Sequence, residues 1–159
     1  MEAAVNGAPD PWRAPQGGPS SVRVPLDDRS RVGEARRMAD VLARDAGLDE
    51  GARGALGVVV TEAATNLARH ARDGVILLRD TTSTGRPGVE LLAVDAGPGM
   101  EDLSHLFTDG VSTGGTPGTG LGAMRRMAHE LDLYSRPGQG TVLVARLFAF
   151  APMPFCETD

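Results

Sequence analysis

The sequence predicts an α/β (α+β) sandwich with about three helices on one face of a mixed β-sheet. Apolar residues recur at helical spacing in two long segments, and shorter segments alternate as half-buried strands do. The segments follow the order strand, two helices, two strands, loop, helix, two strands. At 159 residues the chain has the length of one domain with its own core.

Capping residues delimit two helices in the first half of the chain. The first is predicted from a Ser30 cap through Asp45, with Gly47 ending it. The second is predicted from an Asp49 cap to about Ala71, because its apolar residues form one continuous stripe.

Shorter elements complete the predicted fold. Alternation predicts an edge strand at residues 21–25. Glycine-rich residues 96–120 have no sustained periodicity and predict a loop that is functional or mobile. The remaining elements are predicted as strands at 75–79 and 89–94, a helix at 121–131, and strands at 133–135 and 141–148.

The ends of the chain differ in composition from its middle. Residues 1–19 combine four prolines with glycines, which predicts a flexible tail. The domain is expected at residues 20–148, and residues 149–159 are predicted to be a tail or the start of a linker.

The composition excludes several kinds of chemistry. The chain contains no lysine, so all 16 residues of the Lys and Arg class are arginines. A phosphate loop that depends on lysine and Schiff-base catalysis are therefore excluded. The net charge of -5 does not favour a nucleic-acid partner, and no apolar run is long enough to span a bilayer. The single cysteine, Cys156, favours a cytoplasmic location.

Glu62 and Asn66 are four residues apart on the second predicted helix, which places them on one face. An amide oxygen suits Mg²⁺, and a carboxylate one turn away can deprotonate a hydroxyl that attacks a phosphate. Taken alone, this pair is more typical of a solvated helix face.

Asp95 ends an apolar strand, and Gly97 and Gly99 follow it. A carboxylate at this place can accept the exocyclic amine of adenine, and glycine lets the backbone approach the ring. The same residues are also typical of a simple strand-to-loop turn.

A third cluster, residues 118–122, combines three glycines just before a predicted helix. Exposed backbone N–H groups and the helix N-terminus can bind anionic phosphates there without a lysine. A flexible glycine loop has the same composition. Thr141 on the last predicted strand is unremarkable by itself.

In their order along the chain these clusters resemble the motifs of the GHKL ATPase superfamily, which shares the Bergerat nucleotide-binding fold. Within it, the chain is most similar to bacterial anti-sigma and switch serine/threonine kinases of the RsbW and RsbT type. The matching motifs are the N box at 61–70, the adenine box at 95–99, the lid and second glycine box at 109–115 and 120–127, and the closing motif at 138–141.

The resemblance implies a role for each residue of these motifs. Asn66 would coordinate Mg²⁺, Glu62 would be the catalytic base, and Asp95 would read adenine with Thr141 assisting. Residues 100–119 would form a mobile, glycine-rich ATP lid. The other residues implied to shape or contact the pocket are Arg69, Gly97, Gly99, Thr113, Gly118, Thr119, Gly120, Leu121 and Gly122.

The resemblance implies two functions that share this pocket. One is a protein serine/threonine kinase that phosphorylates a STAS-type antagonist protein in a bacterial partner-switching pathway. The other is a non-catalytic module in which ATP controls the binding of a sigma factor or a PP2C-type phosphatase. The intact Glu62 favours the kinase. A homodimer is compatible with either function.

A sensor histidine kinase is a further alternative. It requires a dimerising helical hairpin with an acceptor histidine before the ATP domain, whereas a short proline-rich tail precedes this one. A domain belonging to a larger regulator that contains a phosphatase fits the sequence better.

Overall fold

The computed structural model describes residues 21–100 and 120–150, which form five strands and three helices. The predicted tails, apart from Ala149 and Phe150, and most of the predicted loop lie outside these ranges. None of the helices described combines the length and apolarity needed to cross a bilayer. The elements are β1 Ser21–Pro25, α1 Arg31–Asp45, α2 Glu50–His70, β2 Val75–Asp80, a 3₁₀ turn Thr82–Thr84, β3 Gly88–Asp95, α3 Gly120–Met127, β4 Glu130–Arg136 and β5 Gly140–Phe148.

The predicted α/β fold is confirmed, but the predicted mixed sheet is wrong for the described strands. The strand order is β1-β2-β3-β5-β4, and each neighbouring pair is antiparallel. Two helices separate β1 from β2 and return the chain to the end of the sheet that it left. The single helix α3 gives β4 the same direction as β3, but β5 lies between these two strands and runs against both.

One face of the sheet is buried against the helices. Alternate residues of each strand point to this face, and the strand register places them opposite one another, as in the row Leu78, Leu91 and Ala145. α1 contacts β1, β2 and β3, whereas α2 contacts β3 and β5. The fully buried side chains of the sheet include Val24, Ile76, Leu78, Val89, Leu91 and Leu147, and those of the helices include Leu56, Val59, Val60 and Met124.

The two ends of α1 show one prediction confirmed and one that is wrong. Gly47 ends the helix with φ of 78°, and the Leu48 N–H donates to the carbonyl oxygen of Ala43. Ser30 lies at the N-terminus, but its side chain makes no capping bond. Asp28 accepts the Ser30 backbone N–H at 2.7 Å instead, and this hydrogen bond lowers the pKa of Asp28.

α3 is shorter than the sequence predicts, and β4 is longer. The predicted helix runs to residue 131, but α3 ends at Met127 and β4 begins at Glu130. Of the two residues between them, His129 donates its backbone N–H to the carbonyl oxygen of Arg146 on β5. Apolar residues in this stretch fit helical spacing, but pairing with β5 prevails.

Opposite charges alternate across four strands on the other face of the sheet. Arg79, Glu90, Arg146 and Glu130 are successive cross-strand partners, and they are called the charged row below. The nearly buried Glu90 carboxylate contacts Arg79 and Arg146 at 2.7 Å each, and Arg146 also contacts Glu130 at 3.0 Å. Hydrogen bonding to Glu90 raises the pKa of Arg146 above its usual value. These contacts join β2, β3, β5 and β4 to one another.

Candidate functional site

Three polar residues end the buried face of the sheet where β3, β5 and β4 lie side by side. Asp95 is the cross-strand partner of Thr141, and Thr141 is the partner of Ser135. Ala93 and Leu143, which lie two residues from Asp95 and Thr141 along their strands, are buried on the face that the helices cover. Because side chains alternate along a strand, the three polar residues lie on the same face. Asp95, Thr141 and Ser135 are called the polar row below. The row places a carboxylate beside two hydroxyl groups above an apolar floor.

Ser135 is the most connected member of the polar row. Its hydroxyl oxygen accepts the backbone N–H of Met100 at 2.8 Å and lies 2.9 Å from the Thr141 hydroxyl oxygen. It also lies 3.1 Å from the carbonyl oxygen of Gly140, to which it can donate. Sequence reasoning missed this residue. The available signal was a polar residue that interrupts the apolar alternation begun by Leu131 and Leu133.

Asp95 is half-buried and holds the turn that follows β3. One carboxylate oxygen, Oδ1, accepts the Gly97 N–H at 2.7 Å. The Ala96 N–H donates to the carbonyl oxygen of Arg72, which ties this turn to the segment after α2. The second carboxylate oxygen, Oδ2, has no hydrogen-bond partner within residues 21–100 and 120–150.

Two glycines let the backbone segments of the site approach one another closely. Gly99 has φ of 70°, and a Cβ there would overlap the carbonyl oxygen of Arg136. Gly140 has φ of 97°, and a Cβ there would overlap the carbonyl oxygen of Asp95. Both positions require glycine for conformation and for space. The Gly138 N–H also donates to the carbonyl oxygen of Pro98 at 2.7 Å.

Glu62 and Asn66 lie one turn apart on α2, as predicted. The helix is capped by Asp49, whose side chain accepts the Ala52 N–H at 2.8 Å, so the predicted cap is confirmed. Glu62 is half-buried and Asn66 is exposed. Neither side chain has a hydrogen-bond or ion-pair partner in the described part of the chain. Arg69 follows on α2 and is exposed.

The first residue of α3 lies against these two side chains. A Cβ on Gly120 would lie 3.4 Å from Oε2 of Glu62 and 3.8 Å from Nδ2 of Asn66. The start of α3 therefore lies against the polar face of α2. Gly122 is buried, and Leu121 packs against the core.

The far end of α2 approaches the turn after Asp95. A Cβ on Gly97 would lie 3.6 Å from the carbonyl oxygen of His70, the last residue of α2. The same helix thus contacts the turn at one place and α3 at another. The structure places Glu62 and Asn66 beside Gly120, where Leu121 and Gly122 follow, and it places Gly97 and Thr141 beside Asp95. Gly99 lies against Arg136. Thr113, Gly118 and Thr119 lie outside the described residues.

Comparison with known proteins decides the family. The family model described as a histidine kinase-like ATPase domain matches residues 24–147, which include the end of β1, all of β2, β3 and β4, the three helices, and β5 except Phe148. The chain belongs to this family. The superfamily predicted from the four sequence clusters is therefore confirmed. The members of the polar row and the start of α3 all lie inside the matched region of this ATPase domain.

One curated relative of this ATPase domain is the serine/threonine-protein kinase RsbT of Bacillus subtilis. The two sequences are 31% identical over 111 residues, which cover 70% of this chain and 84% of RsbT. The similarity therefore extends over most of both proteins.

The similar solved structures include two histidine kinases. The histidine kinase domain of the blue-light activated kinase from Erythrobacter litoralis EL346 is 21% identical, with a TM-score of 0.48. The match covers 77% of this chain and 60% of that domain. The mycobacterial sensor histidine kinase MprB is 15% identical, with a TM-score of 0.47, over 81% of this chain and 97% of that structure.

Proposed function

We propose that the chain binds ATP with Mg²⁺ between α2, the polar row and the start of α3, and that it is a protein serine/threonine kinase. The observation that carries this proposal is the approach of Gly120 to Glu62 and Asn66. It puts a carboxylate, an amide and the N-terminus of a helix around one space. The family and the similarity to the kinase RsbT support the same conclusion.

The adenine base is proposed to bind at the polar row. Oδ2 of Asp95 accepts the exocyclic amine, while Oδ1 remains bonded to the Gly97 N–H. Thr141 lies directly beside Asp95 on the neighbouring strand, so its hydroxyl faces the next atom of the base. The side chains of Ala93 and Leu143 form the apolar floor beneath the ring.

The phosphates are proposed to bind where α3 begins. The free N–H groups and the partial positive charge of this terminus favour an anion, and no lysine is required. The donor set suits magnesium, because Mg²⁺ takes one or two protein oxygens and otherwise keeps water and phosphate oxygens. Asn66 supplies such an oxygen, and Glu62 lies one turn away. When bound, the ion neutralises charge on the phosphates.

Glu62 is proposed to act as the general base. Its carboxylate accepts the proton of a serine or threonine hydroxyl on the protein substrate as that oxygen bonds to the γ-phosphorus. The bond from the γ-phosphorus to the oxygen that bridges to the β-phosphate breaks, and ADP leaves. The Glu62 side chain has no described partner that would compete for this role.

The substrate is proposed to be a STAS-type antagonist protein in a partner-switching pathway. The similarity to the serine/threonine-protein kinase RsbT supports the kinase activity. The resemblance of the motifs to those of the switch kinases supports the type of partner. A phosphatase or a sigma factor is the corresponding partner if the ATP-bound domain acts without phosphoryl transfer.

The kinase proposal is tested with Glu62→Ala. Removal of a general base is expected to slow phosphorylation of a STAS-domain protein about 1,000-fold. Calorimetry should show that ATP and Mg²⁺ still bind, since Asp95 and α3 are unchanged. Glu50→Ala is the matched control, because Glu50 is the other glutamate of α2 and lies at its distant end. An unchanged phosphorylation rate in Glu62→Ala would exclude Glu62 as the base.

An ATP analogue that cannot be cleaved separates the kinase from a binding module. If the protein is a kinase, the analogue should leave the protein partner unphosphorylated. The regulatory change that ATP causes should then not occur. If the analogue reproduces the full regulatory effect of ATP, phosphoryl transfer is not the function.

A further inference from the structure

Ser135 connects the backbone that follows the β3 turn to the hydroxyl that faces the base. Its oxygen accepts the Met100 N–H, and its own proton has two acceptors in reach. These are the Thr141 hydroxyl oxygen at 2.9 Å and the Gly140 carbonyl oxygen at 3.1 Å. A hydroxyl has one proton to donate, so only one of these bonds can be made at a time.

The choice between these two acceptors decides what Thr141 can offer a ligand. If Ser135 donates to Gly140, the Thr141 proton is used on Ser135, and Thr141 presents only lone pairs. If Ser135 donates to Thr141, the Thr141 proton is free. In the second arrangement each hydroxyl accepts one bond and donates the next. Such a chain is cooperative, since a hydroxyl that accepts a hydrogen bond becomes a better donor.

We propose that Ser135 is a positioning residue that directs the Thr141 proton toward N1 of adenine, so that the chain Met100 N–H, Ser135 O–H, Thr141 O–H selects the base. The inference rests on the ATP site proposed above. The 2.9 Å contact joins the Ser135 and Thr141 hydroxyls directly, so a change at Ser135 reaches the Thr141 proton. The position of Asp95 supports the inference too, because Asp95 and Thr141 are direct cross-strand partners.

The edge of adenine explains why this arrangement selects a base. Adenine presents the N–H of its exocyclic amine beside the acceptor N1, and guanine reverses both groups. An acceptor at Asp95 beside a donor at Thr141 matches adenine and opposes guanine. Without Ser135 the Thr141 hydroxyl rotates freely and can donate or accept. A buried group that is wrongly paired weakens binding more than a missing contact does.

The test compares ATP with 1-deaza-ATP, which carries C–H in place of N1 and is otherwise unchanged. Calorimetry with Mg²⁺ gives the Kd of both nucleotides for the wild-type protein and for Ser135→Ala, Ser135→Cys and Ser135→Thr. The wild type should bind 1-deaza-ATP about tenfold more weakly than ATP, the equivalent of one hydrogen bond. In Ser135→Ala this ratio should fall to about twofold.

Two further variants separate positioning from structure. Ser135→Cys keeps the shape of the side chain but is a weak donor, so its ratio should resemble that of Ser135→Ala. Ser135→Thr keeps the hydroxyl and should restore the wild-type ratio. Thr81→Ala is the control, because Thr81 donates its hydroxyl to the Arg86 carbonyl oxygen at the other end of the sheet. Its ratio should be that of the wild type.

The possible results distinguish a failure of the proposed role of Ser135 from a failure of the proposed ATP site. If Ser135→Ala and Ser135→Cys weaken both nucleotides equally and leave the ratio unchanged, Ser135 only supports the fold and the inference is wrong. If the wild type binds ATP and 1-deaza-ATP equally, Thr141 does not donate to N1, and the inference is wrong although the ATP site stands. If the wild type binds neither nucleotide, the proposed function fails, and the inference fails with it.

Discussion

The polar row and the charged row are both rows of cross-strand partners, but they differ in whether their polar groups have partners. The charged row joins Arg79, Glu90, Arg146 and Glu130 through three ion pairs of 3.0 Å or less. The polar row leaves Oδ2 of Asp95 without a partner in the described residues. The two rows lie on opposite faces and at opposite ends of the sheet.

The contrast separates residues that hold the sheet together from residues that remain available. A cross-strand row whose charges are satisfied stabilises pairing, and nothing further can bind to it. The polar row, in contrast, keeps one carboxylate oxygen without a described partner, and a ligand that pairs with this oxygen would supply the missing interaction. Substitutions in the polar row should therefore change nucleotide binding, and those in the charged row should change stability.

Gly140→Ala should have the largest effect, since it damages the polar row and the fold together. Its φ of 97° is unfavourable for alanine, and the new Cβ would overlap the Asp95 carbonyl oxygen. We expect a loss of about 3 kcal/mol in the free energy of unfolding, measured by urea denaturation, and weaker ATP binding.

Gly138→Ala is the matched control for this prediction. Gly138 also has positive φ, 73°, but a Cβ there would have no neighbour within 4 Å. The cost should be about 1 kcal/mol, from conformation alone. Equal costs at the two positions would show that the close approach of Gly140 to Asp95 contributes nothing.

Asp95→Asn should weaken ATP binding about 50-fold with little effect on stability. The substitution removes the charge from the acceptor of the adenine amine, and hydrogen bonds to charged groups are the stronger ones. The asparagine oxygen can still accept the Gly97 N–H, so the turn is retained. Calorimetry measures the affinity and thermal melting the stability. A large fall in melting temperature would show that the polar row also holds the fold.

Glu90→Ala should give the converse result, a loss of about 2 kcal/mol in stability with unchanged ATP affinity. The nearly buried carboxylate neutralises Arg79 and Arg146, and its removal leaves two guanidinium groups without their partner. Both arginines keep part of their hydration, which limits the cost. Urea denaturation measures the stability of this variant, and calorimetry measures its affinity for ATP. A weaker affinity for ATP would contradict the separation of the rows.

Asp40→Asn should have the smallest effect and should depend on pH. Asp40 on α1 accepts a hydrogen bond from Arg53 on α2, which lowers the pKa of Asp40, and Arg44 adds a further favourable charge. A lowered pKa in the folded state stabilises the protein above the pKa of the unfolded state, about 3.9. The stability difference between wild type and variant should be present at pH 7, shrink below about pH 4, and vanish once the folded protein binds the proton. Thermal melting from pH 7 to pH 3 measures it.

Features fixed by neighbouring residues could be predicted from the sequence, and features fixed by distant ones could not. The Asp49 cap and the end of α1 at Gly47 depend on groups within a few residues, and both predictions are confirmed. The Ser30 cap is a local exception, since Asp28, only two residues away, accepts the backbone N–H of Ser30 instead. The predicted end of α3 failed because β5 recruits His129.

The candidate site divides in the same way. The four residues between Glu62 and Asn66 place them on one helix face in any α-helix, so their proximity could be predicted. The adjacency of Asp95, Thr141 and Ser135 depends on β5 lying between β3 and β4. No local pattern encodes that order. Ser135 was missed because its hydrogen bonds to Met100 and Thr141 form only when the folded strands lie side by side.

The position of β5 also sets the time at which the site can exist during synthesis. β5 is the last of the described strands to be made, yet it lies between β3 and β4. A nascent chain that has left the ribosome only through Arg136 already contains Asp95 and Ser135, but it has no strand to hold them together. The nucleotide can therefore stabilise the newly made protein only after residues 140–148 have emerged and inserted into the sheet.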